Sequence, residues 1–126
     1  MAQMTSREYP GPWSVVRLAL GAGWTPRTET LDVKPMRCFA DGPDDEAAFV
    51  TWGSMKSLQG MVWHACLRRV ESESQRITIA VTKPNTAPLP DDEWSLAFSL
   101  ATIVGARCEQ VTYAVSRKVI TDAPTV

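Results

Sequence analysis

Met61-Val62-Trp63-His64-Ala65-Cys66-Leu67-Arg68-Arg69-Val70 is the stretch on which the reading of the fold turns. Taken as a strand, it places Met61, Trp63, Ala65 and Leu67 on one face and Val62, His64, Cys66, Arg68 and Val70 on the other, because successive strand side chains point to opposite sides. Two further runs alternate in the same way. Arg76 to Lys83 opposes Ile77, Ile79 and Val81 to Arg76, Thr78, Ala80 and Thr82. Trp94 to Val104 opposes Trp94, Leu96, Phe98 and Leu100 to Ser95, Ala97, Ser99 and Ala101. Side by side, the three runs predict a sheet with one apolar face and one face of Arg, Thr, Ser and His. The third run is locally open: Asp91-Asp92-Glu93 resembles a helix start, and Trp94, Ala97, Phe98 and Ala101 also make a helical stripe.

Upstream, Trp13 to Leu20 and Arg27 to Lys34 flank the turn residues Gly21 to Pro26 and read as a β-hairpin. A short helix is the rival reading of Trp13 to Leu20. Met36 to Glu46 ends in the acidic run Asp41-Gly42-Pro43-Asp44-Asp45-Glu46 and reads as a solvated loop. Ala47 to Trp52 is a short apolar strand. Glu71 to Gln75 reads as a hairpin loop, and Pro84 to Asp92, with three prolines, as a stiff exposed loop. Downstream, Cys108, Val111, Val115 and Val119 recur at helical spacing, which predicts an amphipathic helix over 107–121. The expectation is one α+β domain over 1–126: a hairpin at 13–34, an antiparallel sheet of about five strands at 47–104, and a C-terminal helix.

Composition narrows the function. The chain has 126 residues, 44% hydrophobic and 21% charged, with a formal net charge of −1. Near-neutral charge argues against nucleic-acid binding by bulk positive charge, though not against a local basic face. Cys38, Cys66 and Cys108 are widely spaced and His64 is the single histidine, so no zinc site and no disulfide framework is expected. No apolar run reaches membrane-spanning length. Met1 to Pro12 shows no basic-then-apolar pattern, so no secretion signal is expected. There is no GxSxG, no Gly-rich phosphate loop and no paired histidine, so no enzyme, no metal and no cofactor is expected. Cys66 lies two residues from His64, but on a flat sheet the two make no nucleophile pocket. The polar face is the more informative feature, since arginine forks and short hydroxyls suit phosphate and sugar.

Several of these runs, taken in order, resemble the coat proteins of single-stranded RNA bacteriophages. Cys66-Leu67-Arg68-Arg69 and Gln75 to Pro84 are similar to that family's central hairpin. Trp94 with Ala101-Thr102-Ile103-Val104 is similar to its last strand, and Arg107 to Val111 with Ala114 to the start of its first helix. The N-terminal hairpin and Ala47 to Ser54 also match in length and position. The resemblance implies the coat-protein fold, with Trp94 to Val104 as a strand, in an interlocked obligate homodimer. It implies a capsid subunit that assembles into an icosahedral shell around single-stranded genomic RNA, located in the virion and assembled in the bacterial host cytoplasm. RNA-facing positions carried over are His64, Cys66, Arg68, Arg76, Thr78, Ala80, Ala97 and Ser99. Ala97 and Ala80 stand where better-known members have a stacking tyrosine and a lysine. The alternative from another class is a small α+β protein-binding module, such as a phage inhibitor or an immunity protein.

Overall fold

In the computed structural model, which describes residues 11–33, 36–84 and 89–113, Met61 to Val70 is helical. It lies within α2 (Leu58–Glu71). Leu58, Met61 and Ala65 are the positions α2 buries, at spacings of three and four residues. That is the signature of one helix face on a core. A strand would have buried Trp63 and Leu67 along with Met61 and Ala65, yet both are exposed. The composition agrees with helix, since Leu, Met, Ala, Gln and Arg all favour it and the β-branched residues are confined to Val62 and Val70.

The chain is α+β, with α1 (Pro12–Leu20), β1 (Thr25–Pro26), β2 (Asp32–Val33), β3 (Met36–Asp41), β4 (Ala47–Gly53), α2, β5 (Arg76–Pro84), α3 (Asp91–Ile103) and β6 (Arg107–Tyr113). The sheet runs β1-β3-β4-β5-β6, and β2 also pairs with β3. It is mixed rather than antiparallel. β3 and β4 form an antiparallel pair in which Phe39 faces Phe49. β4 and β5 are parallel, with Thr51 beside Ile79. β5 and β6 are parallel, with Thr82 beside Val111. Parallel neighbours need a crossover, and α2 and α3 supply the two crossovers.

Five further expectations are corrected. Trp13 to Leu20 is the body of α1, not a strand; Pro12 opens the helix and Gly21, at φ +127°, closes it. Val15 and Val16 are adjacent and both buried, which a strand cannot achieve on one face. β1 and β2 each pair with β3 and not with each other, so there is no N-terminal hairpin. Met36 to Asp41 is a strand, and the acidic turn follows it, with Asp44 and Asp45 both at positive φ. Trp94 to Val104 falls in α3 and its C-cap, and the acids Asp91, Asp92 and Glu93 sit in its first turn, where the helix dipole favours them. Arg107 to Tyr113 is a strand: Val111 and Tyr113 are buried while Gln110 and Thr112 are exposed, a period of two. The remainder of the expected helix lies outside the described residues, as does the middle of the loop from Pro84 to Asp92.

Two apolar clusters fill the two sides of the sheet. α2 and α3 cover Phe49, Ile77, Ile79 and Val81. α1 and Trp24 cover Cys38, Ala40, Ala48, Val50, Trp52, Ala80 and Val111. β5 is therefore buried on both faces, as a central parallel strand is. Gly42 belongs to the second cluster's rim: a Cβ there would lie 2.5 Å from the Trp24 indole, so only glycine lets the ring close over the turn. On the helical side, Arg69 ties two turns together. Its guanidinium donates to the carbonyls of Ser72, Glu73 and Gln75 after α2, and to those of Val104 and Gly105 after α3.

Candidate functional site

The eight residues expected to face RNA do not share a surface. Thr78 and Ala80 point toward the α1 side and are fully buried. Arg76 stacks its guanidinium 4.8 Å from the centre of the Trp24 ring on that side. Ala97 is fully buried beneath α3, whereas Ser99 is exposed on it. His64, Cys66 and Arg68 all lie on α2. The alternation of Arg76 to Lys83 is real, but its Thr and Ala face is the floor of a second core rather than an open face.

His64 and Arg68 do come together, in a cleft of about 470 Å³ between α2 and the β2–β3 edge. Its other walls include Asp32, Arg37, Phe39, Leu67 and Glu71. His64 Nδ1 lies 2.9 Å from Arg37 Nη1. Arginine can only donate, so Nδ1 accepts and the ring proton sits on Nε2. Arg37 Nη2 also reaches Asp32 Oδ2 at 3.4 Å. Burial, and then the Arg37 charge, hold His64 below the usual imidazole range, with Asp32 opposing. The site therefore carries a neutral imidazole at neutral pH. Arg68 pairs with Glu71 at 3.2 Å and covers the Phe39 ring at 5.3 Å. Phe39 in turn meets Phe49 edge-on, with ring centres 5.4 Å apart.

The thiols are poor nucleophiles where they are shifted. Burial pushes Cys38 up to about 11, and burial with Glu109 nearby pushes Cys108 up to about 11. Among the described residues, no group of three or more His, Cys, Asp or Glu is placed to hold a metal ion. No helix of the described residues is long and apolar enough to cross a membrane.

The outer face of α2 is the second feature. Gly60, Trp63, Leu67 and Val70 follow one another at spacings of three, four and three residues and are all exposed. Trp63 is 61% exposed, Leu67 43% and Val70 84%. A Cβ on Gly60 would meet nothing within 4 Å. Beside this stripe, a shallow depression of about 660 Å³ is lined by Lys56, Gln59, Gly60, Val62, Trp63 and Cys66. On α3, Leu96, Phe98 and Ile103 are exposed as well.

Two of these features escaped the sequence reading. Arg37 and Phe39 sit in a segment read as loop, although Cys38 and Ala40 alternate with them as a strand requires. The Gly60–Val70 spacing is visible in the sequence only once the stretch is read at a helical period. Compared with family models, curated proteins and solved structures, the chain matches none of them.

Proposed function

We propose that the protein is a self-associating structural subunit, which acts by assembly rather than by catalysis. One observation carries this reading. Of the seven large hydrophobic side chains left exposed among the described residues, Trp63, Leu67, Val70, Leu96, Phe98 and Ile103 lie on α2 and α3, a single helical layer, and only Leu18 lies elsewhere, on α1. Scattered exposed apolar residues need no explanation, but a set gathered on one layer marks an interaction surface. A net charge of −1 puts little like-charge repulsion between copies.

A shell subunit around single-stranded RNA, as the coat-protein resemblance implies, is the narrower form of this proposal. Its support from structure is the associating surface. Two of the runs that carried the resemblance as strands, Cys66 to Arg69 and Trp94 to Val104, lie in α2 and in α3 with its C-cap, so the shell and the RNA rest on the resemblance alone. Binding of a different protein, as by an inhibitor or immunity protein, is the second reading. The cleft favours it, because polar anchors at Arg37, His64 and Arg68 beside the apolar rim of Leu67 and Val70 form an asymmetric socket.

Sedimentation velocity of the purified chain over a concentration series tests the proposal. Oligomers that grow with concentration are expected. Closed particles by electron microscopy, with an absorbance ratio showing nucleic acid, would add support for the coat form. A chain that stays monomeric up to roughly 100 µM, a range in which even weak specific dimers form, would overturn self-association.

A further inference from the structure

We infer that α2 pairs with α2 of a second copy, antiparallel across a two-fold axis, through the seam Gly60, Trp63, Leu67 and Val70. This rests on the self-association proposed above and names its contact. Spacings of three and four residues average to the 3.5-residue repeat that keeps one helix facing another. α2 carries two such stripes. Leu58, Met61 and Ala65 face the sheet and are buried, whereas the Gly60 stripe faces outward, exposed among the described residues. The occupant such a stripe fits is therefore a helix.

Three properties of the stripe favour a second copy, and in the antiparallel sense. The first is shape. In the register that uses the whole stripe, Gly60 lies opposite Val70 of the partner and Trp63 opposite Leu67 of the partner. The two-fold axis repeats both contacts. The smallest residue thus receives a branched one, and the two largest share the central layers. The second is charge. Lys56 precedes the stripe, while Glu71 and Glu73 follow it; of the basic residues in the last turn of α2, Arg69 donates to backbone carbonyls and Arg68 pairs with Glu71. Antiparallel pairing brings Lys56 toward the partner's Glu71 and the partner's Glu73, whereas parallel pairing would set the two Lys56 side chains together. Antiparallel helices also oppose their dipoles.

The third is Gly60 itself. Glycine inside an exposed helix weakens it relative to alanine. The fold does not require glycine here, because a Cβ would meet only open space. Close approach by a partner backbone gives the residue a reason.

The test is sedimentation equilibrium on the full chain, with helicity followed by circular dichroism. Trp63→Ser should weaken the dimer by roughly thirtyfold or more, the scale of a central aromatic anchor. Gly60→Ala should weaken it by about tenfold while leaving the monomer fold intact or firmer. Lys56→Glu alone should weaken pairing, and Lys56→Glu with Glu71→Lys and Glu73→Lys should restore it. Restoration by the combined charge exchange is specific to the antiparallel arrangement. An association that none of these variants alters would overturn the α2 seam and leave self-association standing through another face. A wild-type chain that does not associate would overturn both.

Discussion

His64 makes a pH prediction that a single side chain can test. The unfolded chain takes up a proton near the ordinary imidazole value of about 6.5, whereas the folded chain resists until a lower pH, through burial and then Arg37. A depressed folded value means that the unfolded state binds more protons in that window. Stability contributed here is complete above about pH 6.5 and is lost as pH falls through the folded value. Protonation also ends the hydrogen bond from Arg37, since Nδ1 can no longer accept. Asp41 behaves in the same sense but in a lower window, because the hydrogen bond from Arg27 holds its carboxyl below the usual range. As the chain has one histidine, its imidazole resonances can be followed without ambiguity. The expected outcome is a native midpoint below 6.5, together with a urea midpoint that declines on acidification less steeply in His64→Gln. A native midpoint at or above the unfolded one would remove the Arg37 contact from the account.

At the scale of elements, Ala97 separates helix from strand. As an inward position of α3 it is fully buried, with Ala101 one turn on, so the helix lies close to the sheet through two small residues. Ala97→Leu should therefore force α3 outward and cost about 1–3 kcal/mol in chemical denaturation, the usual penalty for overpacking. On an open sheet face the same change would be close to neutral. Ser99→Ala, at an exposed position of the same helix, should stay within about 0.5 kcal/mol. The contrast bears on what was legible beforehand. Arg76 to Lys83 was readable as a strand because Ile and Val alternate there with Thr and Ala, and Ala47 to Trp52 because it is a short apolar run. Met61 to Val70 and Trp94 to Val104 satisfy alternation by accident. In each, apolar residues fall at both even and helical intervals, and only burial shows which set the core selects. Val15 beside Val16 was the clearer signal, since a strand buries neighbours only when both its faces are covered, as in β5. The candidate site was legible in part: His64 and Arg68 were singled out as members of a sheet face, whereas both stand on α2 and line one cleft, and their partners Arg37 and Phe39 come from a strand hidden by the acidic turn behind it.

For the whole molecule, the order of pairing matters as much as its pattern. β3 and β4 are joined by a short turn, so Phe39 and Phe49 meet after closing a small loop. Thr51 meets Ile79, and Thr82 meets Val111, only after a helix has been laid between them. Closing longer loops delays the reward of contact, and parallel pairing is slow for that reason. Val50 and Val111 are both buried valines on the α1 side of the sheet, so truncating either should cost a similar amount, about 1–3 kcal/mol. They should differ in kinetics: Val50→Ala should slow refolding, and Val111→Ala should chiefly speed unfolding. Stopped-flow chevrons decide this, and equal slowing of refolding by both would refute the order. The mixed sheet has a corollary for synthesis. β6 follows every other described element in the chain, so on the ribosome β5 waits with one edge bare until Arg107 to Tyr113 has emerged. An incomplete chain thus exposes an unpaired strand edge that the finished one covers. Nascent chains stalled before Arg107 are accordingly the form most apt to join one another wrongly.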